Sequence, residues 1–289
     1  MTFNPDAKID SGKVSHRGRN TGLAVGGGGI GVIAIFLISQ LFGVDLSGLT
    51  GAGTGGGQAS DEPVTGCETG ADANENIDCR MAGAASSLDV YWADQFQTEG
   101  LQYATPGFFL FEDATNTACG GATSAVGPFY CPPDQAIYLD TGFFDELRGR
   151  FGASGGPLAE MYVVAHEWGH HVQNLVGTMD QLNRQETGPQ SDAVRLELQA
   201  DCYAGAWAGA ASTVPDETGT PFLQPITRQQ IADALNAAAA IGDDRIQEQA
   251  TGQVNPEGWT HGSSEQRQTW FERGFESGLG SCNTFEGTI

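Results

Sequence analysis

The chain has 289 residues, enough for one sizeable core with appendages or for two small domains. It carries 36 acidic and 13 basic residues, a net charge of −23. So acidic a chain repels a phosphate backbone, which excludes nucleic acid as an expected partner and leaves solubility as the plain meaning of the charge.

The basic residues are not spread evenly. Lys8, Lys13, Arg17 and Arg19 all precede residue 20, and no Lys follows them. Residues 1–22 are polar and rich in turn formers, and read as a short tail. Residues 23–42 carry no charge over 20 positions, the length at which a helix spans the roughly 30 Å hydrocarbon core of a bilayer. Basic residues precede this stretch and Asp45 follows it. The positive-inside rule then places the tail in the cytoplasm and the rest of the chain outside. A cleaved signal peptide is the alternative, but no small-residue cleavage pattern follows Phe42. The expectation is one transmembrane helix, with the lipid bilayer as partner through residues 23–42 and a single-pass location in the cell membrane. Residues 43–80 read as a Gly-rich linker that also bears the first two cysteines, and residues 81–289 as the folded domain.

Within that domain, Leu88, Trp92 and Phe96 recur at helical spacing. The segments LQYATPGFFLFE and QAIYLD read as strands, the first interrupted by Pro106. The Gly- and Pro-rich stretch between them reads as a loop pinned by cysteines. Pro157 opens a helix that Gly177 closes. A second helix runs near 191–211, a third follows the Thr227-x-x-Gln230 capping box, and a fourth follows Ser263-x-x-Gln266. A few strands followed by several helices is an α+β arrangement, a small sheet plus helices. Six cysteines suggest disulfides in an oxidising compartment. Cys67/Cys79 and Cys119/Cys131 have equal separations, so the simplest pairing is two local loops plus Cys202–Cys282.

The chemistry centres on His166-Glu167-Trp168-Gly169-His170. Two histidines four residues apart share one face of a helix, where two imidazole nitrogens can bind one zinc ion. Glu167, about 100° round the helix, is placed to take a proton from a metal-activated water without itself being a ligand. A catalytic zinc needs a third protein ligand. The helix near 191–211 offers Glu197 and Asp201, again four apart. This pair is similar to that of the thermolysin-like, Glu-type zinc peptidases (gluzincins). The similarity implies Glu197 as ligand and Asp201 as the carboxylate that orients a ligating histidine; the reverse assignment stays open. His171 lies off the ligand face and reads as supporting or structural. His261, just before the last helix, is a catalytic candidate as hydrogen-bond donor to an oxyanion, or else a loop histidine with no part in chemistry.

Taken together, the segments HEWGHH, ELQADC, CGGATSAVGPFYCP, YLD and HGSSEQR resemble the bacterial neutral zinc metallopeptidase family. The resemblance covers residues 85–285, with the basic tail and the apolar segment. It implies a compact gluzincin-like domain with one zinc ion at His166, His170 and Glu197, and Glu167 as general base. The expected activity is hydrolysis of peptide bonds in a peptide or protein substrate, whose strand would pair with an exposed sheet edge, for which QAIYLD is the candidate. A non-enzymatic zinc-binding surface protein and a zinc hydrolase acting on something other than peptides are the rival readings.

Overall fold

The computed structural model describes residues 2–18, 61–183 and 186–289. The proposed transmembrane segment, residues 23–42, lies outside the described residues. Among those described, no helix is long and apolar enough to cross a membrane.

Among the described residues, seven short strands and eight α-helices make an α+β domain. In chain order they are β1 (Ser15–Arg17), β2 (Asp61–Pro63), α1 (Gly70–Glu75), α2 (Ile77–Thr98), β3 (Gly107–Leu110), β4 (Ala114–Thr117), β5 (Gly120–Thr123), β6 (Phe129–Cys131), β7 (Ala136–Leu139), α3 (Phe143–Gly149), α4 (Pro157–Leu175), α5 (Asp192–Ala210), α6 (Arg228–Ala240), α7 (Asp243–Thr251) and α8 (Ser264–Ser277). The helix starts follow the local chemistry. Pro157 occupies the first turn of α4, the Ser191 hydroxyl accepts from Val194 N–H, and capping boxes open α6 and α8. The helices α1, α3 and α7 have no counterpart in the sequence reading. Each is nine residues or shorter, too short for an apolar period to stand out.

Five strands form one sheet in the order β2-β1-β3-β7-β6, and β4 and β5 pair as a hairpin. The contacts of β3 with β1 and β7 are parallel, whereas β2 and β6 pair antiparallel with their neighbours. Two expectations are corrected here. QAIYLD, the candidate edge, is β7, hydrogen-bonded on both sides and buried at all four positions, so the free edge near the histidines belongs to β6. The folded domain also does not begin at residue 81. Residues 61–80 supply β2, α1 and the start of α2, and residues 2–18, read as a separate tail, are part of the same core, with Phe3, Ala7 and Val14 fully buried.

The three disulfides are Cys67–Cys79, Cys119–Cys131 and Cys202–Cys282, the simplest pairing offered by the spacing. The helices pack tightly where small residues allow it. A Cβ on Gly205 would sit 2.0 Å from the Phe271 carbonyl oxygen, and one on Gly274 2.0 Å from that of Cys202. Helices α5 and α8 therefore touch backbone to backbone, which brings the start of α8 against the histidine helix α4.

Candidate active site

Helix α4 is buried from Leu158 through Gln173, nearly all round. Its polar side chains must therefore find partners inside the protein. His166 and His170 face helix α5, their rings 4.8 Å apart and nearly perpendicular. Nε2 of His166 lies 3.1 Å from one Glu197 carboxylate oxygen, and Nε2 of His170 lies 3.4 Å from the other. All three donor groups converge within 4.8 Å. Ligands about 2.1 Å from a tetrahedral zinc lie about 3.4 Å from one another, so the two nitrogen–oxygen separations suit that ion.

The hydrogen bonds behind the histidines decide what those nitrogens carry. His166 Nδ1 donates to Asp201 Oδ1 at 2.8 Å. His170 Nδ1 faces Gln173 Oε1 at 2.9 Å. The Gln173 amide is itself oriented, because its Nε2 donates to the Leu196 carbonyl at 2.8 Å and to Gln199 Oε1 at 3.1 Å. Only its oxygen is left for His170. With a metal bound, a ring whose Nδ1 donates to the oxygen behind it would turn its Nε2 lone pair towards Glu197. Lone pairs facing one another are stable when a cation sits among them, and the set is one that zinc accepts.

Asp201 is fully buried and receives four donors. Besides His166, these are the Tyr162 hydroxyl at 2.6 Å and two nitrogens of Arg267 at 2.8 and 2.9 Å. Burial raises its pKa, but the Arg267 charge and then His166 more than offset this and hold it below the usual carboxylate range. Arg267 is itself satisfied, since it also donates to Tyr162 and to the Ile241 carbonyl. Glu197 thus faces both ring nitrogens, and Asp201 stands behind His166.

Glu167 lines a cleft of about 320 Å³ together with His166, His170, Glu197 and His261. The run Ser124–Tyr130, which ends in β6, also lines it, as do Ile241 and Ile246. His261 is thus brought to the same cleft although it is distant in sequence. Asp243, at the start of α7, fixes it: Oδ2 accepts from the backbone N–H of Thr260, His261 and Gly262 at 2.7, 2.6 and 3.0 Å, and Oδ1 meets His261 Nδ1 at 3.2 Å. Burial depresses the imidazole, and the bond and charge of Asp243 outweigh that, so its pKa is raised. With Nδ1 engaged, Nε2 is the ring atom left for the cleft.

His171 points away from the ligand set. Its Nε2 donates to the Ala104 carbonyl at 2.7 Å, so its Nδ1 accepts from the Tyr130 hydroxyl at 3.0 Å. Burial lowers its pKa, as suits a neutral ring. It ties β6 to the histidine helix, the supporting role expected of it. The sequence reading missed Tyr162, Gln173, Gln199, Asp243 and Arg267. Only Arg267 carried a signal, as the end of the HGSSEQR segment; the others are common polar residues whose partners lie far along the chain.

A family model described as "Putative neutral zinc metallopeptidase" matches residues 4–285. The chain is 52% identical over 221 residues to the uncharacterized protein Rv2575 of Mycobacterium tuberculosis (strain ATCC 25618 / H37Rv), covering 76% of this chain and 74% of the relative. It is 37% identical over 292 residues to the uncharacterized protein YpfJ of Escherichia coli (strain K12), covering 98% of this chain and 96% of the relative. No solved structure matches the chain.

Proposed function

The chain belongs to the "Putative neutral zinc metallopeptidase" family, and from that premise we propose that it is a zinc-dependent endopeptidase. The observation that carries this reading is the convergence of His166, His170 and Glu197 on one point, each ring bonded behind through Nδ1, with Glu167 in the same cleft. A zinc ion held there by His166, His170 and Glu197 would supply Lewis acidity to a water molecule and to the scissile carbonyl.

The protein's own groups do the rest. Glu167 takes a proton from the attacking water and returns it to the leaving amine. His261, held by Asp243, donates a hydrogen bond from Nε2 to the developing oxyanion. Asp201 keeps His166 in the tautomer that leaves Nε2 free. The substrate backbone pairs with the open edge of β6, whose Phe129 and Tyr130 line the cleft. The three disulfides favour action outside the cytoplasm, and the apolar residues 23–42 make the bilayer a second partner.

The test is Glu167→Gln in the full chain. It keeps the volume and the ligand set but removes the base, so zinc stoichiometry should stay at the parent value. Cleavage of a peptide library should fall by about 10²–10⁴-fold. Undiminished cleavage would remove Glu167 from its role, and a chelator-insensitive activity would remove the metal.

A further inference from the structure

We infer that residues 2–18 are a fixed part of the catalytic domain, so that the N-terminus and residues 61–289 lie on the same side of any membrane. The two are then not divided by a bilayer. A single crossing would place the N-terminus and the domain on opposite faces of a roughly 30 Å hydrocarbon layer, whereas paired strands lie about 4.8 Å apart.

The domain is shaped to receive this segment. Phe3 has no solvent exposure, and a Cβ on Gly83 of α2 would lie 2.6 Å from its ring. A Cβ on Gly70 would lie 1.9 Å from the Asn4 carbonyl oxygen. At both places a side chain larger than hydrogen would fill the seat that the N-terminus occupies. The backbone is bound as well. The Asn74 amide oxygen accepts from Thr2 and Phe3 N–H at 2.9 and 3.0 Å, and its nitrogen donates to the Phe3 carbonyl at 3.0 Å. Asp216 accepts from Lys8 N–H at 2.6 Å. Strand β1 lies inside the sheet between β2 and β3. Its removal would expose the edge of β3.

Two of the four basic residues read as a topology signal, Lys13 and Arg17, have other employment. The Lys13 ammonium lies 2.6 Å from Asp89. Arg17 pairs with Asp61 at 3.0 Å, donates to the Tyr138 hydroxyl at 2.8 Å and covers the Phe109 ring at 4.1 Å. The charge of these two residues is thus complementary to an acidic domain and gives them a role other than marking the cytoplasmic face. The cross-strand pair Arg17 and Asp61 also places the last residue of β1 opposite the first residue of β2, at the same end of the pair. With three disulfides in the same body, the N-terminus accompanies the domain into the oxidising compartment.

All six cysteines are paired, so a single introduced thiol is the one target for a membrane-impermeant maleimide. The experiment compares Asp6→Cys with Leu101→Cys, both exposed positions, in cells expressing the full chain, with and without permeabilisation. The two thiols should respond alike. Labelling of Leu101→Cys in intact cells while Asp6→Cys labels only after permeabilisation would overturn the inference, as would a mature protein lacking the N-terminal residues on sequencing. Phe3→Ala gives a second readout: the thermal midpoint of the domain should fall by roughly 10 °C, and an unchanged midpoint would count against the packing.

Discussion

Asp201 and Asp243 are both buried carboxylates that end on a histidine of the same cleft, and they hold it by different means. Asp201 is held by side chains alone, two helices contributing a tyrosine and an arginine that meet between them. Asp243 is held chiefly by backbone, three consecutive N–H groups turning about one oxygen. The first arrangement fixes a tautomer on rigid helices; the second fixes the course of a loop and, through it, the place of one ring. In the proposed mechanism the difference separates metal binding from transition-state stabilisation, because there each carboxylate serves a different step.

The largest expected effect comes from breaking the first. Asp201→Ala leaves the buried Arg267 guanidinium without its counter-charge, which should cost about 3–5 kcal/mol of stability. The same change frees His166 to adopt the wrong tautomer, and zinc affinity should fall about 10–100-fold. Chemical denaturation and a competitive zinc titration measure the two losses. Native values in both would show that the Arg267–Asp201 pair is not what holds the centre.

Asp243→Asn should act on the other side of the comparison. It should leave zinc stoichiometry at the parent level while kcat falls about 100-fold, the usual value of one oxyanion donor. Added to His261→Ala, it should reduce kcat little further, since the carboxylate works through the ring. Additive losses would mean that Asp243 acts through something other than His261.

The smallest effect is in the pH dependence of stability. Burial raises the Asp243 pKa, but the hydrogen bond and charge of His261 and the backbone donors lower it more, so that it lies below its ordinary 3.8 in the folded protein. A depressed carboxylate contributes stability that is present above the unfolded pKa and is lost as pH falls through the folded one. Denaturation midpoints taken from about pH 6 to about pH 2 should therefore fall less steeply in Asp243→Asn than in the parent below pH 3.8. Parallel acid limbs in the two proteins would contradict the assignment.

The amino-acid sequence by itself determined the features that are local. The spacing of His166 and His170, the carboxylates four apart on α5 and the caps of α6 and α8 are set within a turn or two of helix, and each stands in the structure as the sequence reads. The simplest disulfide pairing also holds, because closeness along the chain favours two of the three. What only the tertiary structure decided depends on partners far apart. Arg267 meets Asp201 across 66 residues and Lys8 meets Asp216 across 208. No period or spacing relates such pairs, and their residue types are ordinary on any polar surface. The same reason explains the two corrected readings: β7 became an interior strand because β6 folds back beside it, and the N-terminal segment became core because Gly70 and Gly83 leave room for it. A sequence shows which atoms a helix will present together; which distant atoms meet them is settled when the whole chain packs.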